Sequence, residues 1–269
     1  MSITFKITNK EKFRMFLLTL DLKKVLKVIF ICLIGVACCF TLSTTGAYQV
    51  FYGGTLKKLP IYSVKTENKQ VAISFDCAWG DEYTDTLLQI MEEENVKCTF
   101  FMVEFWAKKY PEHVKKIDEM GHEIGTHSAT HPHMSKLSKS AIEKELSTSI
   151  KAITDITNKK VEVFRPPFGD YNDRLIEVAK SLNLYTIQWS VDSLDWKNLS
   201  AEEITERVLL RTGNGDIVLF HNNGLHTAKA LRPIIKALKG KGYEFKRIGD
   251  LIYRENYTID VNGCQVPSG

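Results

Sequence analysis

The sequence is poor in cysteine, and what it has is unevenly placed. Of six cysteines, Cys32, Cys38 and Cys39 share one N-terminal apolar segment. Only Cys77, Cys98 and Cys264 lie beyond it, with no paired spacing. A disulfide framework is therefore not expected, and no Cys-x-x-Cys zinc pattern exists. Charge of one sign is also scarce: the formal net charge is +4, with Lys and Arg spread along the chain. Such a surplus gives no argument for a nucleic-acid partner. Internal repeats and low-complexity tracts are absent, which excludes a solenoid. What remains is ordinary for a globular protein: 44% hydrophobic and 25% charged residues in 269, enough for one α/β domain.

The N-terminus departs from this pattern. Lys23, Lys24 and Lys27 precede an uncharged run from Val28 to Leu42. A basic flank followed by an apolar run marks a signal peptide or a signal anchor. The uncharged core falls short of a span of ~20 residues, but counting from Val25, or on through Ala47 to Phe51, makes a span feasible. The expected organisation is a basic cytoplasmic start (1–24), a signal anchor or signal peptide (25–47) and a linker (48–68). An exported domain (69–255) and a tail (256–269) follow. The positive-inside rule then puts the domain outside the cytoplasm, held at the membrane or secreted if the signal is cleaved.

Beyond the linker, apolar runs alternate with amphipathic ones. Strands are expected at 71–75, 97–103, 122–126, 161–164, 184–191, 217–220 and 243–248. Helices are expected at 84–94, with Thr84 as cap, and at 111–120, with Pro111 in the first turn and Gly121 past the end. Others are expected at 140–157 and 201–211, opened by capping boxes at Ser140 and Ser200, and at 173–182 and 227–238. Seven strands alternating with helices imply a parallel sheet with helical cover. The expected fold is α/β, a distorted seven-unit barrel; an open doubly wound sheet is the competing architecture.

Polar clusters follow these strands. Asp76 ends the first, His127 follows the third, Arg165 ends the fourth, Asp192 ends the fifth and His221 the sixth. The carboxyl ends of parallel strands share one side and build the site. His127 and His131, four apart, are read as one face of a helical turn able to grip a divalent metal. A nearby carboxylate can take the proton of a water, and a second histidine can protonate a leaving amine. An arginine would keep that carboxylate ionised, and another carboxylate would hold the acid histidine protonated. The chemistry suggested is metal-assisted hydrolysis.

At these residues the chain resembles the polysaccharide deacetylase (NodB-homology) family, carbohydrate esterase family 4, from about Lys69 to Tyr253. The resemblance implies a distorted barrel that removes N-acetyl groups from chitin-like or peptidoglycan sugars with a divalent metal such as zinc, cobalt or manganese. It implies Asp76 as base, His127 and His131 as metal ligands, and Arg165 as the residue fixing the base. It makes His221 the acid and Asp195 its tuning carboxylate. Trp196 becomes a wall of the sugar pocket and Leu219 the lining of the acetyl pocket. The amide near Phe168 becomes an oxyanion donor. The family usually places a second, metal-binding aspartate after the base, where this chain has Cys77. Cys77 as a thiolate or Asp81 from the next loop are the candidate third ligands. The stretch from Asp76 to Asp81 resembles the sporulation-associated, PdaB-like subgroup. That implies a membrane-anchored protein acting on spore or cell-wall glycan; Cys77 motivates the alternative, a non-catalytic glycan-binding protein on the same scaffold, and a monomer is expected in either case.

Overall fold

The computed structural model describes residues 26–27, 29–32 and 57–268. The chain divides into two units, 1–56 and 57–269. In the first unit, Leu26, Lys27 and residues 29–32 are helical. The rest of the expected anchor, 25–47, lies outside the described residues. No helix among the described residues is long and apolar enough to cross a membrane.

The second unit runs β1 (Ser63–Val64), β2 (Gln70–Cys77), α1 (Thr84–Glu93), β3 (Thr99–Met102), α2 (Glu104–Lys109) and α3 (Pro111–Glu119). Next come β4 (Glu123–Thr126), α4 (Lys139–Thr157), β5 (Val163–Phe164), α5 (Asp173–Ser181), β6 (Tyr185–Thr186), β7 (Val191–Asp192) and α6 (Ala201–Arg211). It closes with β8 (Asp216–His221), α7 (Thr227–Gly240), β9 (Glu244–Phe245), α8 (Ile248–Leu251), β10 (Tyr257–Ile259) and β11 (Cys264–Pro267).

The sheet order is β10-β11-β1-β8-β2-β3-β4-β5-β6, with β7 on β8 and β9 on β2. The strands from β2 to β8 pair in parallel. A parallel bridge from Ile61, just before β1, to Ile187, just after β6, closes the run of strands from β1 to β6 into a distorted barrel, with β10 and β11 extending the sheet beyond β1.

Strand alternation sorts the side chains. Along β2, Val71, Ile73, Phe75 and Cys77 belong to the large apolar cluster that also holds Leu87, Leu88 and Met91 of α1. Ala72 belongs instead to the second cluster, with Phe101, Val163, Ile187 and Ile217. The period of two puts Ser74 and Asp76 on the same face as Ala72. Gly125 belongs there by necessity, because a Cβ at this position would lie 2.7 Å from the Phe101 ring and 2.8 Å from Val163.

Several expectations change on contact with the fold. The strand expected over 184–191 breaks into β6 and β7 because the chain changes partner. The Gln188 amide donates to Ile61, whereas that of Ser190 donates to Ile217 on β8. The strand expected at 243–248 is two residues long and gives way to α8. The expected linker carries β1, and the expected tail carries β10 and β11, the latter parallel to β1. Helix α4 is capped by Ser138, whose hydroxyl accepts from Ala141 N, rather than by Ser140. Tyr83, not Thr84, occupies the cap of α1, with no side-chain hydrogen bond. The capping box at Ser200 and Glu203 is present as expected.

Candidate active site

The register of β2 against β8 sets Asp76 directly beside His221. Thr126 of β4 is paired with Phe164 of β5, so the residues that follow them, His127 and Arg165, leave the sheet together. Four candidate side chains thus meet at the carboxyl ends of the strands.

Asp76 is 7% exposed and Arg165 fully buried. Arg165 Nη1 donates to Asp76 Oδ1 at 2.7 Å. Nη2 donates to Ser74 Oγ at 2.8 Å and to the Gln188 carbonyl at 3.1 Å. The guanidinium lies over the Phe101 ring, 4.2 Å from its centroid. Burial pushes the Asp76 carboxyl toward protonation, but the charge of Arg165, with His127 and His221, prevails and holds it below the ordinary range. The result is an ionised carboxylate with a fixed orientation.

His127 follows β4 and is buried. Its Nδ1 lies 2.7 Å from the Arg165 carbonyl, which can only accept, so Nδ1 carries the proton. The bare Nε2 faces Asp76 Oδ2 at 3.6 Å. Burial lowers its pKa, and burial together with His127 lowers that of His131 to about 4. Both imidazoles are neutral lone-pair donors. Their ring centroids are 4.9 Å apart. The expected helical turn is not what joins them. Residues 127–131 form a loop with left-handed φ of 73° at Ser128 and 58° at His131, clamped by the Ser128 hydroxyl accepting from His131 N at 3.0 Å. Left-handed non-glycine residues cost energy that the surroundings must offset.

Asp195 is fully buried and accepts three bonds. His221 Nδ1 donates to it at 2.8 Å, the His221 amide at 2.8 Å and Thr227 Oγ1 at 2.7 Å. Burial would drive His221 neutral. The hydrogen bond and charge of Asp195, aided by Asp76 and Asp192, overcome it and raise the histidine above its ordinary value. Gly224 makes room for this cluster: a Cβ there would sit 2.1 Å from Thr227 Oγ1 and 2.9 Å from Asp195 Oδ2.

Leu219 on β8 is 3% exposed, yet it belongs to neither apolar cluster. Phe168 is 59% exposed and held at φ 60°. Trp196 is 55% exposed, with Lys197 Nζ 4.9 Å from its ring centroid.

The candidate third ligands do not join the histidines. Cys77 is fully buried within the helix-side apolar cluster. Burial first, then the charge of Asp76, pushes its thiol well above the ordinary range, so a thiolate is disfavoured. Asp81 lies 3.5 Å from His113 Nδ1. Among the described residues, no group of three or more His, Cys, Asp or Glu is placed to hold a metal ion. The residues present supply two imidazole donors but do not fit a three-ligand divalent site.

Sequence reasoning missed the supports. Ser74 was legible in principle, being two residues before Asp76 on the same strand face. Gln188 and Thr227 carried no local signal, because only the tertiary fold brings them to Arg165 and Asp195.

An α/β barrel with an arginine-clamped carboxylate and a carboxylate-backed histidine at its mouth is the architecture of the carbohydrate deacetylases. Residues 63–187 match the polysaccharide deacetylase family. The chain is 33% identical over 196 residues to a peptidoglycan-N-acetylglucosamine deacetylase of Bacillus cereus, covering 71% of this chain and 92% of that one. The chain belongs to the polysaccharide deacetylase family. It is also 34% identical over 198 residues to the uncharacterised protein YlxY of Bacillus subtilis, covering 74% of this chain and 62% of that protein's length. Among solved structures it is similar to BA3943 of Bacillus anthracis, described as a family 4 pseudoenzyme. The TM-score is 0.70 at 36% identity, covering 73% of this chain and 69% of that one. A mutant of that protein is described as having restored enzymatic activity.

Proposed function

We propose that this protein removes N-acetyl groups from GlcNAc- or MurNAc-type sugars of cell-wall peptidoglycan. One observation carries this reading. Asp76 and His221 sit side by side on β2 and β8 with opposite environments, one held ionised by Arg165 and the other held protonated by Asp195. Two neighbouring titratable groups tuned in opposite directions mark a base and an acid. Asp76 takes a proton from the water that attacks the acetyl carbonyl. The Phe168 amide donates to the oxygen that becomes negative. His221 gives its proton to the sugar nitrogen as the C–N bond breaks, releasing acetate and an amino sugar. Leu219 receives the acetyl methyl, and Trp196 forms one wall of the groove. His127 and His131 present neutral nitrogens at the mouth, and no step is assigned to them.

The Lys-rich start and the uncharged run from Val28 support export and a membrane anchor. The Asp76-to-Asp81 stretch supports a setting in spore or cell-wall assembly, with the protein acting as a monomer. The test is acetate release from peptidoglycan by the full chain, with and without added zinc, cobalt or manganese. Release is expected, and is expected to vanish in Asp76→Asn and His221→Ala while both variants keep the native circular dichroism. No release under any ion would sink the hydrolase reading. A second reading, glycan binding without turnover, has its own observation: the buried Cys77 where a metal-binding aspartate is usual. It predicts binding to peptidoglycan with no acetate at all.

A further inference from the structure

The loop that follows β2 carries an exposed indole that the acid–base chemistry does not use. Trp79 is 57% exposed. Its ring stands edge-on to His131 with centroids 4.8 Å apart. His131 also meets Phe168 edge-on, with centroids 4.5 Å apart. Phe168 in turn stacks on His133 at 4.3 Å with the planes only 20° apart. Trp79, His131, Phe168 and His133 therefore form one continuous chain of aromatic contacts, and its second ring, His131, also touches His127 with centroids 4.9 Å apart.

These contacts are fixed rather than free. Gly80, with left-handed φ of 65°, turns the chain just after Trp79. Its carbonyl is held from two sides, by Trp106 Nε1 at 2.7 Å and Asn222 Nδ2 at 2.9 Å. Phe168 is locked in a left-handed conformation of its own. Large rings left more than half exposed on strained, hydrogen-bonded loops bury little apolar surface in the free protein, and such features concentrate at ligand sites.

We propose that Trp79, with Phe168 and His133, forms a stacking platform for a pyranose ring of an N-acetylated glycan. On it Trp79 positions the substrate chain beside Asp76 and His221. The chemistry of the surface selects this occupant. A pyranose offers an apolar C–H face to an aromatic ring while its hydroxyls stay in water, which suits rings that are half exposed. A lipid tail would need a deeper apolar groove. The N-acetyl group of the stacked sugar, or of its neighbour, then reaches the mouth where Leu219 lies. The proposal rests on the glycan reading above but not on turnover.

The experiment measures binding of a soluble N-acetylglucosamine pentamer to the full chain by calorimetry. Native protein, Trp79→Ala, Trp79→Phe and Leu210→Ala are compared, with acetate release recorded in parallel. Trp79→Ala is expected to weaken binding by roughly tenfold or more, equivalent to about 1.4 kcal/mol. Trp79→Phe should recover most of that loss, since a ring remains, and Leu210→Ala, at an exposed position on α6 away from the mouth, should bind as tightly as the native protein. Native-like binding by Trp79→Ala, with its fold intact, overturns the platform. So does failure of the native protein to bind the pentamer. Trp79-dependent binding with no acetate from any variant upholds the platform and removes only the hydrolase reading.

Discussion

Replacing Asp195 by Asn isolates the charge that tunes His221. The side chain keeps its shape and its burial, but one acceptor oxygen becomes an NH2 group. Asp195 now accepts from the His221 ring, the His221 amide and Thr227. Asn can satisfy the donors at only one of its two ends, which leaves a buried mismatch costing ~1–3 kcal/mol. The effect on His221 is sharper. Its raised pKa exists because Asp195 outweighs burial. With the charge gone, burial decides, and the imidazole falls below its ordinary ~6.5.

NMR titration of the His221 ring reads this directly and works whether or not the protein turns over substrate. The native ring should titrate above ~6.5 and the variant's below it. Stability should follow with opposite signs. In the native protein the contribution of His221 is fully present below ~6.5 and disappears as pH rises through the raised folded value. In the variant the histidine costs stability as pH falls, because the unfolded chain takes up the proton first. Acetate release, if present, should drop by roughly 10²- to 10⁴-fold at neutral pH as the proton donor is lost. Equal titration of His221 in both proteins would refute the assignment of Asp195 as its tuning group.

Other outcomes follow from the same geometry. Arg165→Met strands a buried carboxylate, and should lower stability by about 3–5 kcal/mol in urea unfolding while moving Asp76 toward protonation. Cys77 and Cys98, both fully buried with thiols pushed well up by desolvation, should resist alkylation in the folded chain while Cys264 reacts; peptide mapping decides. His122, lowered to about 4 mainly by burial, stays neutral in the fold. Its contribution is present above ~6.5 and is lost as pH falls toward the folded value. Acidification across that window should therefore cost about 2–3 kcal/mol, measurable as a falling urea midpoint and relieved in a His122→Phe variant.

The sequence disclosed what local patterns can carry. Apolar runs gave β2, β3, β4 and β8, and the polar residues at the ends of β2, β4 and β8 named the mouth. Cap, proline and glycine signals gave α1, α3, α4 and α6 to within a few residues, and α5 and α7 followed from the alternation of strand and helix. The strands of two residues, β1, β5, β6, β7 and β9, are set by partners distant in sequence. No periodicity can register in so few positions, so their bounds, and the break between β6 and β7, were not legible. The same holds for the supports of the site. Thr227 lies at the start of α7 and Gln188 between two strands, and neither sits in a pattern that points at Asp195 or Arg165. The His127–His131 spacing was read as a helical turn, yet the rings meet through two left-handed residues. The contact was right and its backbone cause was not.

Cys77 shows how one residue decides between binding and catalysis. It is the last residue of β2, and its carbonyl still accepts from Val103 N at 3.0 Å, so the strand order extends through it and points the thiol at the helices. A neutral thiol is at ease there. An aspartate would not be, since an unpaired buried carboxylate costs several kcal/mol. Turning a strand-end residue toward the mouth costs less, and His127 Nε2 and His131 already present neutral lone pairs on that side. Cys77→Asp should therefore be less stable than the native chain without metal. It should recover with zinc, its thermal midpoint rising with zinc concentration as expected when a ligand binds only the folded state. The native chain should show a much weaker response. A variant whose midpoint ignores zinc would mean that residue 77 stays turned to the helices whatever it carries. In that case the two histidines serve the glycan groove alone.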